Sequence, residues 1–332
     1  MRAKQLIAPG VFAETDVKAL GTDDLGPDDV LIRVLAAGIC GSDLPAFAGR
    51  KSLTVDERTF AGGRGKPGYP LHEVVGEVVV APEGMHGVGD RVVGWATNMD
   101  GLAEYVITRS REVIVYEESL TPRHAVILQP LACVLHTLEQ IGDLRGRSVA
   151  VLGQGPIGLL FSHAVKTLGA DVVVGVDRVD RSEVSMALGL DQFVHLSSDQ
   201  WGEGIGTAER PNLIIEAAGH QVGTLSDAVD AVADRGTIYY FGVPDDRIYP
   251  VSISQMLRKN LTLMAGCVTS EHRTAALKLA DAYLAEHPDL ADLLVTHSYS
   301  FDECQKAYDA ALQPKTGQHK VVLEFETSAP SA

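Results

Sequence analysis

The chain has 332 residues, of which 45% are hydrophobic and 22% charged, and its formal net charge is −16 at pH 7. This length and composition predict a globular protein of two domains, and the acidic excess argues against nucleic acid or an anionic membrane surface as a partner. The longest apolar runs, such as Leu261–Val268, are too short to span a membrane. The four cysteines form no paired motif and no signal-peptide pattern opens the chain, so we expect a cytoplasmic protein with reduced thiols.

The first 128 residues or so consist of short runs rich in β-branched residues. These runs are separated by Gly, Pro and Asp at intervals typical of an antiparallel barrel. The runs that we predict as strands are Val30–Ile39, Glu73–Gly84, Asp90–Ala96 and Leu102–Ser110.

From about Leu131 onward, continuous apolar runs alternate with helical patterns. Apolar strands joined by crossover helices indicate a parallel sheet covered on both faces, as in doubly wound nucleotide-binding domains. A final run, His319–Phe325, returns to β character and is expected to pair with the first domain. The predicted parallel strands are Ser148–Gly153, Asp171–Asp177, Gln192–Leu196, Asn212–Ala217, Thr237–Val243 and Leu261–Gly266. We therefore predict an α/β protein with a catalytic β-barrel domain at 1–130 and 269–332 and a dinucleotide-binding domain at 131–268.

The sequence VAVLGQGPIGLL contains G-x-G-x-x-G directly after an apolar strand and at the start of a helix, the context that makes this pattern specific. Gly153 permits the tight turn, Gly155 lets the backbone approach a pyrophosphate, and Gly158 allows close packing of helix and strand. The helix begins at Pro156 and Ile157, and its N-terminus offers free N–H groups and the positive end of the helix dipole to the phosphates. These residues predict a dinucleotide site.

An acidic residue follows this fingerprint at the expected distance. Asp177 lies nineteen residues after Gly158, where a carboxylate accepts hydrogen bonds from the ribose hydroxyls and repels a 2′-phosphate. This favours NAD over NADP. The adjacent Arg178 points the other way, because a guanidinium can accommodate the phosphate.

Cys40, His72 and Glu73 are candidate metal ligands. A thiolate, an imidazole and a carboxylate are a suitable donor set for Zn²⁺, and catalytic zinc uses three protein ligands with one open position. Taken alone, Cys40 is more often an inert buried thiol. The set is informative only if the segments that carry these residues converge.

Several motifs occur in one order along nearly the whole chain: AAGICGSDL, YPLHEVVGEV, GVGDRVVG, LAEYV, QPLACVLHTLE, VAVLGQGPIGLL and NLIIEAAG with GTIYYFGVP. Together they resemble the zinc-dependent medium-chain alcohol dehydrogenase superfamily, nearest to its sorbitol, threonine and glucose dehydrogenase branches. The resemblance implies a GroES-like catalytic domain, a Rossmann domain and a zinc ion in the cleft between them.

The resemblance also assigns roles to residues of the first domain. It implies that Cys40 and His72 bind zinc, and that Glu73 is either a direct ligand, as in polyol-type members, or an outer-sphere group, as in others. Ser42 would hydrogen-bond the reacting hydroxyl. Asp43 would hold the outer nitrogen of His72 and so fix its tautomer.

Four features depart from the family pattern. Gln129, 24 residues before Gly153, stands where relatives carry a third ligand or a glutamate, so it stays open as a weak zinc ligand. The cysteine-rich lobe that binds a structural zinc is absent, which predicts one catalytic zinc at most. Pro45 replaces the histidine that ends the proton relay in many relatives. The extra polar segment Arg50–Gly68 suggests a substrate-facing loop or a plain surface insertion.

Further positions match the cofactor contacts of the family, and each also has a plain core or surface interpretation. Arg181 matches a position near the adenine, Cys133 one behind the nicotinamide ring, and Lys320 one that reaches the pyrophosphate. The positions that match contacts on the nicotinamide side are Phe241, Gly242, Val243, Cys267 and Val268.

The resemblance and the two sites together predict a zinc- and NAD-dependent dehydrogenase of a secondary alcohol. Resemblance to the polyol branch suggests a sugar, polyol or cyclitol substrate, and relatives are homodimers or homotetramers. One alternative is a zinc-free reductase of the same fold, like the quinone oxidoreductases, which Gln129 keeps open. A second alternative is a non-catalytic NAD-binding protein.

Overall fold

The computed structural model describes residues 1–50 and 65–326, which form two compact units. The first unit comprises residues 1–132, 269–314 and the chain from Gln318 onward, and the second comprises Cys133–Val268 with Lys315–Gly317. Most of the predicted polar loop Arg50–Gly68, residues 51–64, lies outside the described residues. No helix among the described residues is both long enough and apolar enough to cross a membrane.

The first unit is built on a seven-stranded sheet with a separate pair of strands at the N-terminus. In the sheet the order is β14-β15-β3-β4-β5-β7, and β6 also pairs with β3, while β1 pairs with β2. The antiparallel ladders among β3 to β7 agree with the predicted barrel. The strands are β1 Arg2–Ala8, β2 Val11–Asp16, β3 Asp29–Gly38, β4 Glu73–Val80, β5 Arg91–Trp95, β6 Tyr105–Arg109, β7 Val113–Val115, β14 Val295–Ser300 and β15 Lys320–Glu324.

Short helices cover this sheet, and its interior is aliphatic. Val30, Ile32, Val74 and Val92 are buried in one cluster with residues of the C-terminal helix that contains Tyr308. Burial of such side chains is the main favourable term in folding. The helices of this unit are α1 Leu44–Phe47, α2 Pro122–Ala125, α9 Arg273–Glu286, α10 Leu290–Leu294 and α11 Cys304–Leu312.

A buried carboxylate joins the two chain segments of this unit. Glu112, 2% exposed, accepts hydrogen bonds from Ser270 Oγ at 2.5 Å and Thr97 Oγ1 at 2.7 Å, and pairs with Arg273 Nη1 at 2.8 Å. The Arg273 guanidinium also lies 4.7 Å from the centre of the Trp95 ring, a cation–π contact. Burial raises the pKa of Glu112, but these hydrogen bonds and the Arg273 charge outweigh burial and hold its pKa below the ordinary 4.5. The folded state therefore favours the ionised form.

Glu112→Gln should lower the free energy of unfolding by about 2–4 kcal/mol at pH 7, because it leaves the Arg273 charge without its partner. A carboxyl group whose pKa is depressed on folding stabilises above its unfolded pKa and loses that effect as pH falls through the folded pKa. The difference between variant and wild type should thus shrink below about pH 4.5. Urea unfolding from pH 7 to pH 3 measures this, with Glu303→Gln on the surface as control. A difference that stays constant with pH would contradict the assignment.

The second unit is a six-stranded parallel sheet in the order β10-β9-β8-β11-β12-β13. Successive strands are added on one side of β8 and then, from β11 onward, on its other side. This is the strand order of Rossmann domains, which bind dinucleotides at the point where the order reverses. The strands are β8 Ser148–Leu152, β9 Val172–Asp177, β10 Gln192–His195, β11 Leu213–Glu216, β12 Thr237–Tyr240 and β13 Thr262–Ala265. The predicted α/β fold class is confirmed.

Helices connect these strands and cover both faces of the sheet. α3 Leu128–Ile141 runs across the boundary between the two units, and the others belong to the second. The predicted strand Thr237–Val243 ends at Tyr240, and after it Phe241 N and Gly242 N both donate to the Glu216 carbonyl at the end of β11. The connecting helices are α4 Pro156–Thr167, α5 Ser182–Ser185, α6 Ser198–Gly204, α7 Gly223–Ala231 and α8 Ile253–Lys259.

Candidate functional site

Cys40, His72 and Glu73 come together in the first unit. One ligand atom of each side chain lies within 4.8 Å of the others, and this is the one such group of three His, Cys, Asp or Glu side chains in the described part of the chain. Cys40 and His72 are half-buried, whereas Glu73 is fully buried. Two segments far apart in sequence thus converge at one point.

Sheet register explains this convergence. Cys40 follows the end of β3, and Glu73 starts β4 directly opposite Gly38 on β3. A Cβ at Gly38 would lie 2.3 Å from Glu73 Oε2 and 2.8 Å from Lys320 Cε, so only glycine leaves room for the side chains that cross this strand. The register places both segments at the same end of the sheet.

Asp43 connects Cys40 and His72. It is fully buried, accepts a hydrogen bond from Cys40 N at 2.9 Å through Oδ2, and lies 3.0 Å from His72 Nδ1 through Oδ1. An ionised carboxylate only accepts, so His72 Nδ1 carries the proton and donates. Nε2 of His72 is the nitrogen that Asp43 does not hold, so it is the one that a metal ion would bind in place of a proton.

A buried lysine neutralises Glu73. Lys320 Nζ lies 2.5 Å from Glu73 Oε2 and donates to Ile39 O at 3.0 Å, and both side chains are at most 2% exposed. The contact with Oε2 is an ion pair rather than a hydrogen bond of standard geometry, and Glu73 Oε1 has no hydrogen-bond partner among the described residues although it is buried. A buried carboxylate oxygen without a partner is costly. The position suits a further cation.

The site favours positive charge electrostatically. Burial lowers the pKa of His72, but the neighbouring Asp43 and Cys40 raise it by more, so its pKa lies well above the ordinary value. Burial and then the charges of Asp43 and its neighbours raise the pKa of Tyr308, whose hydroxyl donates to Pro70 O two residues before His72. The acidic groups around His72 thus favour a bound cation, and Tyr308 stays neutral.

These side chains fit a zinc ion. Sulfur, imidazole nitrogen and carboxylate oxygen are the donors that zinc takes in proteins, and the carboxylate that holds His72 Nδ1 is the usual partner of a zinc-binding histidine. Neither carboxylate oxygen of Glu73 has a hydrogen-bond partner among the described residues, although both are buried. The donor set and its geometry therefore fit a zinc ion.

In the second unit the glycine fingerprint has the expected shape. Gly153 has a φ of +86° and donates to Val176 O at 2.8 Å, and a Cβ at Gly158 would lie 1.8 Å from Gly153 O. A Cβ at Gly155 would meet no atom within 4 Å, so this side of the turn is open. α4 begins at Pro156, directly after this turn, so the N-terminus of the helix lies beside it.

Asp177 is fixed beside this turn. Its carboxylate accepts from Gln154 N at 2.5 Å and from Val179 N at 2.7 Å. Gln154 lies between the first two glycines of the fingerprint. Both carboxylate oxygens are therefore held at the end of β9, next to the turn that is predicted to bind the pyrophosphate.

For the remaining predicted residues the structure gives burial and protein contacts, which do not test their predicted contacts with cofactor, metal or substrate. Arg178 is exposed, whereas Arg181 is 2% exposed and donates to Lys315 O at 2.9 Å. Gln129 is buried in α3, and Ser42 is half-buried two residues after Cys40. Their contacts with adenine, metal or substrate stay predictions, as do those of Cys133, Phe241, Gly242, Val243, Cys267, Val268 and the pyrophosphate contact of Lys320.

Two residues of the metal-site region were missed by sequence reasoning. The sequence gives no sign that the ammonium group of Lys320 pairs with Glu73, or that Tyr308 lies beside the segment that carries His72. Both belong to C-terminal segments far along the chain from His72, and no local spacing pattern connects them with it. The one signal in the sequence is a lysine within an apolar strand, because a lysine that is buried there needs an acidic partner.

Comparison with known families covers most of the chain. Residues 123–325 match the family described as Glucose dehydrogenase C-terminus, and residues 26–118 match the Alcohol dehydrogenase GroES-like domain. The matched segments correspond to the Rossmann-type sheet with its C-terminal segments and to the barrel that carries Cys40, His72 and Glu73.

Individual relatives agree with these families. The chain is 24% identical to the sorbitol dehydrogenase of Bacillus subtilis, over 93% of this chain and 94% of the relative. It is 27% identical to an L-threonine 3-dehydrogenase of Caldanaerobacter subterraneus, over 90% and 92% of the two chains. The solved structure of alcohol dehydrogenase TADH from Thermus sp. superimposes with a TM-score of 0.78 at 26% identity, over 98% of this chain and 100% of the other. The chain therefore belongs to the zinc-dependent medium-chain alcohol dehydrogenase superfamily.

Proposed function

We propose that this protein is a zinc-dependent, NAD-preferring dehydrogenase that interconverts a secondary alcohol and its ketone. In the oxidising direction the carbinol carbon loses a hydride to the nicotinamide and the hydroxyl loses a proton, so NADH and one proton are formed. The observation that carries the proposal is the convergence of Cys40, His72 and Glu73, with a buried carboxylate oxygen of Glu73 left unpartnered.

The residues of the first unit have distinct roles in this chemistry. Cys40, His72 and Glu73 would hold one zinc ion, with Gln129 as a possible further ligand. Bound zinc supplies Lewis acidity, which lowers the pKa of an alcohol so that it can lose its proton near neutral pH. Asp43 keeps His72 in the tautomer that presents Nε2. Lys320 balances the charge of Glu73.

Ser42 is the proposed partner of the reacting hydroxyl. It lies two residues after Cys40 in the short 3-10 helix Gly41–Asp43 and is half-buried. Pro45 is buried and has no group that transfers a proton. We therefore assign to Ser42 the transfer of the substrate proton to solvent, without a histidine relay at position 45.

The substrate is proposed to be a polyol, a sugar or a cyclitol. The sorbitol dehydrogenase of Bacillus subtilis and the D-arabinitol dehydrogenase 1 of Uromyces fabae are both among the relatives of the chain. Testing a panel of polyols, sugars, cyclitols and simple secondary alcohols by NADH absorbance, with zinc measured in the same preparation, tests this proposal. Turnover that survives chelators in protein with little zinc would favour the zinc-free reductase instead.

Asp177 is proposed to set the preference for NAD. Its carboxylate is held at the end of β9 by Gln154 N and Val179 N, where it would meet the ribose hydroxyls of the adenosine half. Asp177→Gly should raise the KM for NAD by about tenfold or more, as expected for loss of a charged hydrogen-bond acceptor. The KM for NADP should fall or stay constant. Steady-state kinetics with both cofactors measure the ratio, and an unchanged KM for NAD would contradict the assignment.

We also propose that two copies of the chain associate through β13. This strand pairs only with β12 among the described residues, and its Leu263 and the nearby α8 residue Leu257 are 39% and 74% exposed. An uncovered edge strand with exposed apolar side chains is a surface that a second copy can cover. Light scattering of the purified chain should give at least the mass of a dimer.

A further inference from the structure

Glu216 is a fully buried acid outside the metal site. It ends β11 in the second unit, with Leu152 of β8 and Tyr240 of β12 as its neighbours in register, and it is 0% exposed. No lysine, arginine or histidine forms an ion pair with it in the part of the chain that the structure describes. Burial raises its pKa, and only hydrogen bonds to the main chain and Thr224 oppose this effect. Burying a carboxyl group without an ion-pair partner costs free energy, so its presence here suggests a functional role.

The contacts of Glu216 tie two loops together. Its carbonyl accepts from Phe241 N at 2.9 Å and Gly242 N at 3.0 Å, in the loop after β12. Its side-chain Oε1 accepts from Gly219 N at 3.1 Å, in the loop after β11. A Cβ at Gly242 would lie 2.4 Å from Glu216 Oε2, so the second loop also packs directly on the carboxyl group.

These two loops border the predicted dinucleotide site. Ala218 packs on the first glycine of the fingerprint, because a Cβ at Gly153 would lie 2.7 Å from Ala218 Cα. His220 N donates to Val243 O at 2.8 Å and closes the two loops on each other. One loop thus rests on the phosphate-binding turn, and the other carries Phe241, Gly242 and Val243, the residues predicted to contact the nicotinamide side.

We propose that Glu216 is a positioning residue for the dinucleotide. It holds the loops after β11 and β12 in the positions in which they can contact the bound cofactor. This inference rests on the proposed function, in which the second unit binds NAD. Glu216 does not touch the reacting atoms. It acts through its side chain, which accepts a hydrogen bond from Gly219 N and packs against the loop at Gly242.

The test compares NADH binding by Glu216→Ala, Glu216→Gln and a control, Val232→Ala, using quenching of protein fluorescence and the melting temperature of each variant. Val232 is a fully buried core residue of the same unit, and its truncation should lower the melting temperature without touching either loop. We expect Glu216→Ala to raise the Kd for NADH by about tenfold, the typical size of a coupling between a support and a binding site. Glu216→Gln should recover part of the affinity, because its amide oxygen still accepts from Gly219 N.

The outcomes separate this inference from the proposed function. Wild-type affinity for NADH in Glu216→Ala would overturn the inference. An equal loss of NADH affinity in Val232→Ala would also overturn it, because the effect would then come from a general loss of stability. If Glu216→Ala does not fold, Glu216→Leu decides, because it fills a similar volume but cannot accept from Gly219 N, and an unchanged Kd for NADH in that variant then overturns the inference. Wild-type protein that binds neither NADH nor NADPH contradicts the proposed function instead.

Discussion

Cys40→Ser should abolish turnover while leaving cofactor binding intact. A serine hydroxyl does not ionise near neutral pH and binds zinc far less well than a thiolate, so the variant should lose its zinc. Without Lewis-acid stabilisation, worth several kcal/mol, kcat/KM should fall by about a thousand-fold or more. Zinc analysis, alcohol oxidation and NADH binding measured on one preparation give the three readouts.

Cys304→Ala is the matched control for this change. Cys304 is a thiol of the same unit, buried in the hydrophobic core, and burial raises its pKa to about 12. It therefore stays protonated and has no role as a ligand. The control should keep its zinc and its turnover. Full activity in Cys40→Ser, or equal loss in both variants, would rule out the metal role of Cys40.

Lys320→Met should destabilise the zinc-free protein by about 3–5 kcal/mol, because it leaves the buried Glu73 carboxylate without its cation. Urea unfolding after dialysis against a chelator measures this. Added zinc should restore part of the loss, since a metal ion at Glu73 supplies positive charge at the same place. In a double-mutant cycle with Glu73→Gln, the two losses should be far from additive.

Lys306→Met is the matched control for this prediction. Lys306 pairs with Glu303 at 2.9 Å, but the two side chains are 71% and 43% exposed, so solvent screens the pair. The same substitution there should change stability little. A similar small effect at Lys320 would mean that Glu73 is not held as an ion, and would weaken its assignment as a zinc ligand.

Much of the fold was predictable because its signals are local. Apolar strands broken by helical patterns, with G-x-G-x-x-G at one strand end, predicted the parallel sheet and its cofactor turn, and the comparisons confirm the fold class. Boundaries were less predictable. Thr237–Val243 reads as one apolar run, yet the strand ends at Tyr240, and Phe241 N and Gly242 N share the carbonyl of Glu216 on the neighbouring strand.

The candidate metal ligands were visible in the sequence for a similar reason. Cys40 lies at the end of one strand and His72 and Glu73 at the start of the next, and residue type alone indicates a zinc donor set. Their convergence was only an expectation from resemblance. It follows from the pairing of Gly38 with Glu73, a contact between strands that no spacing along the chain specifies.

By itself the sequence determined the chemistry that is available: the donor types at 40, 72 and 73, the glycines at 153, 155 and 158, and the acid at 177. Only the tertiary structure decided how charges are balanced. Lys320 on Glu73, Arg273 on Glu112 and the uncompensated Glu216 depend on which distant segments share a buried space. Ion pairing in a low-dielectric interior depends on distance in space, and residues hundreds of positions apart leave no local pattern of it.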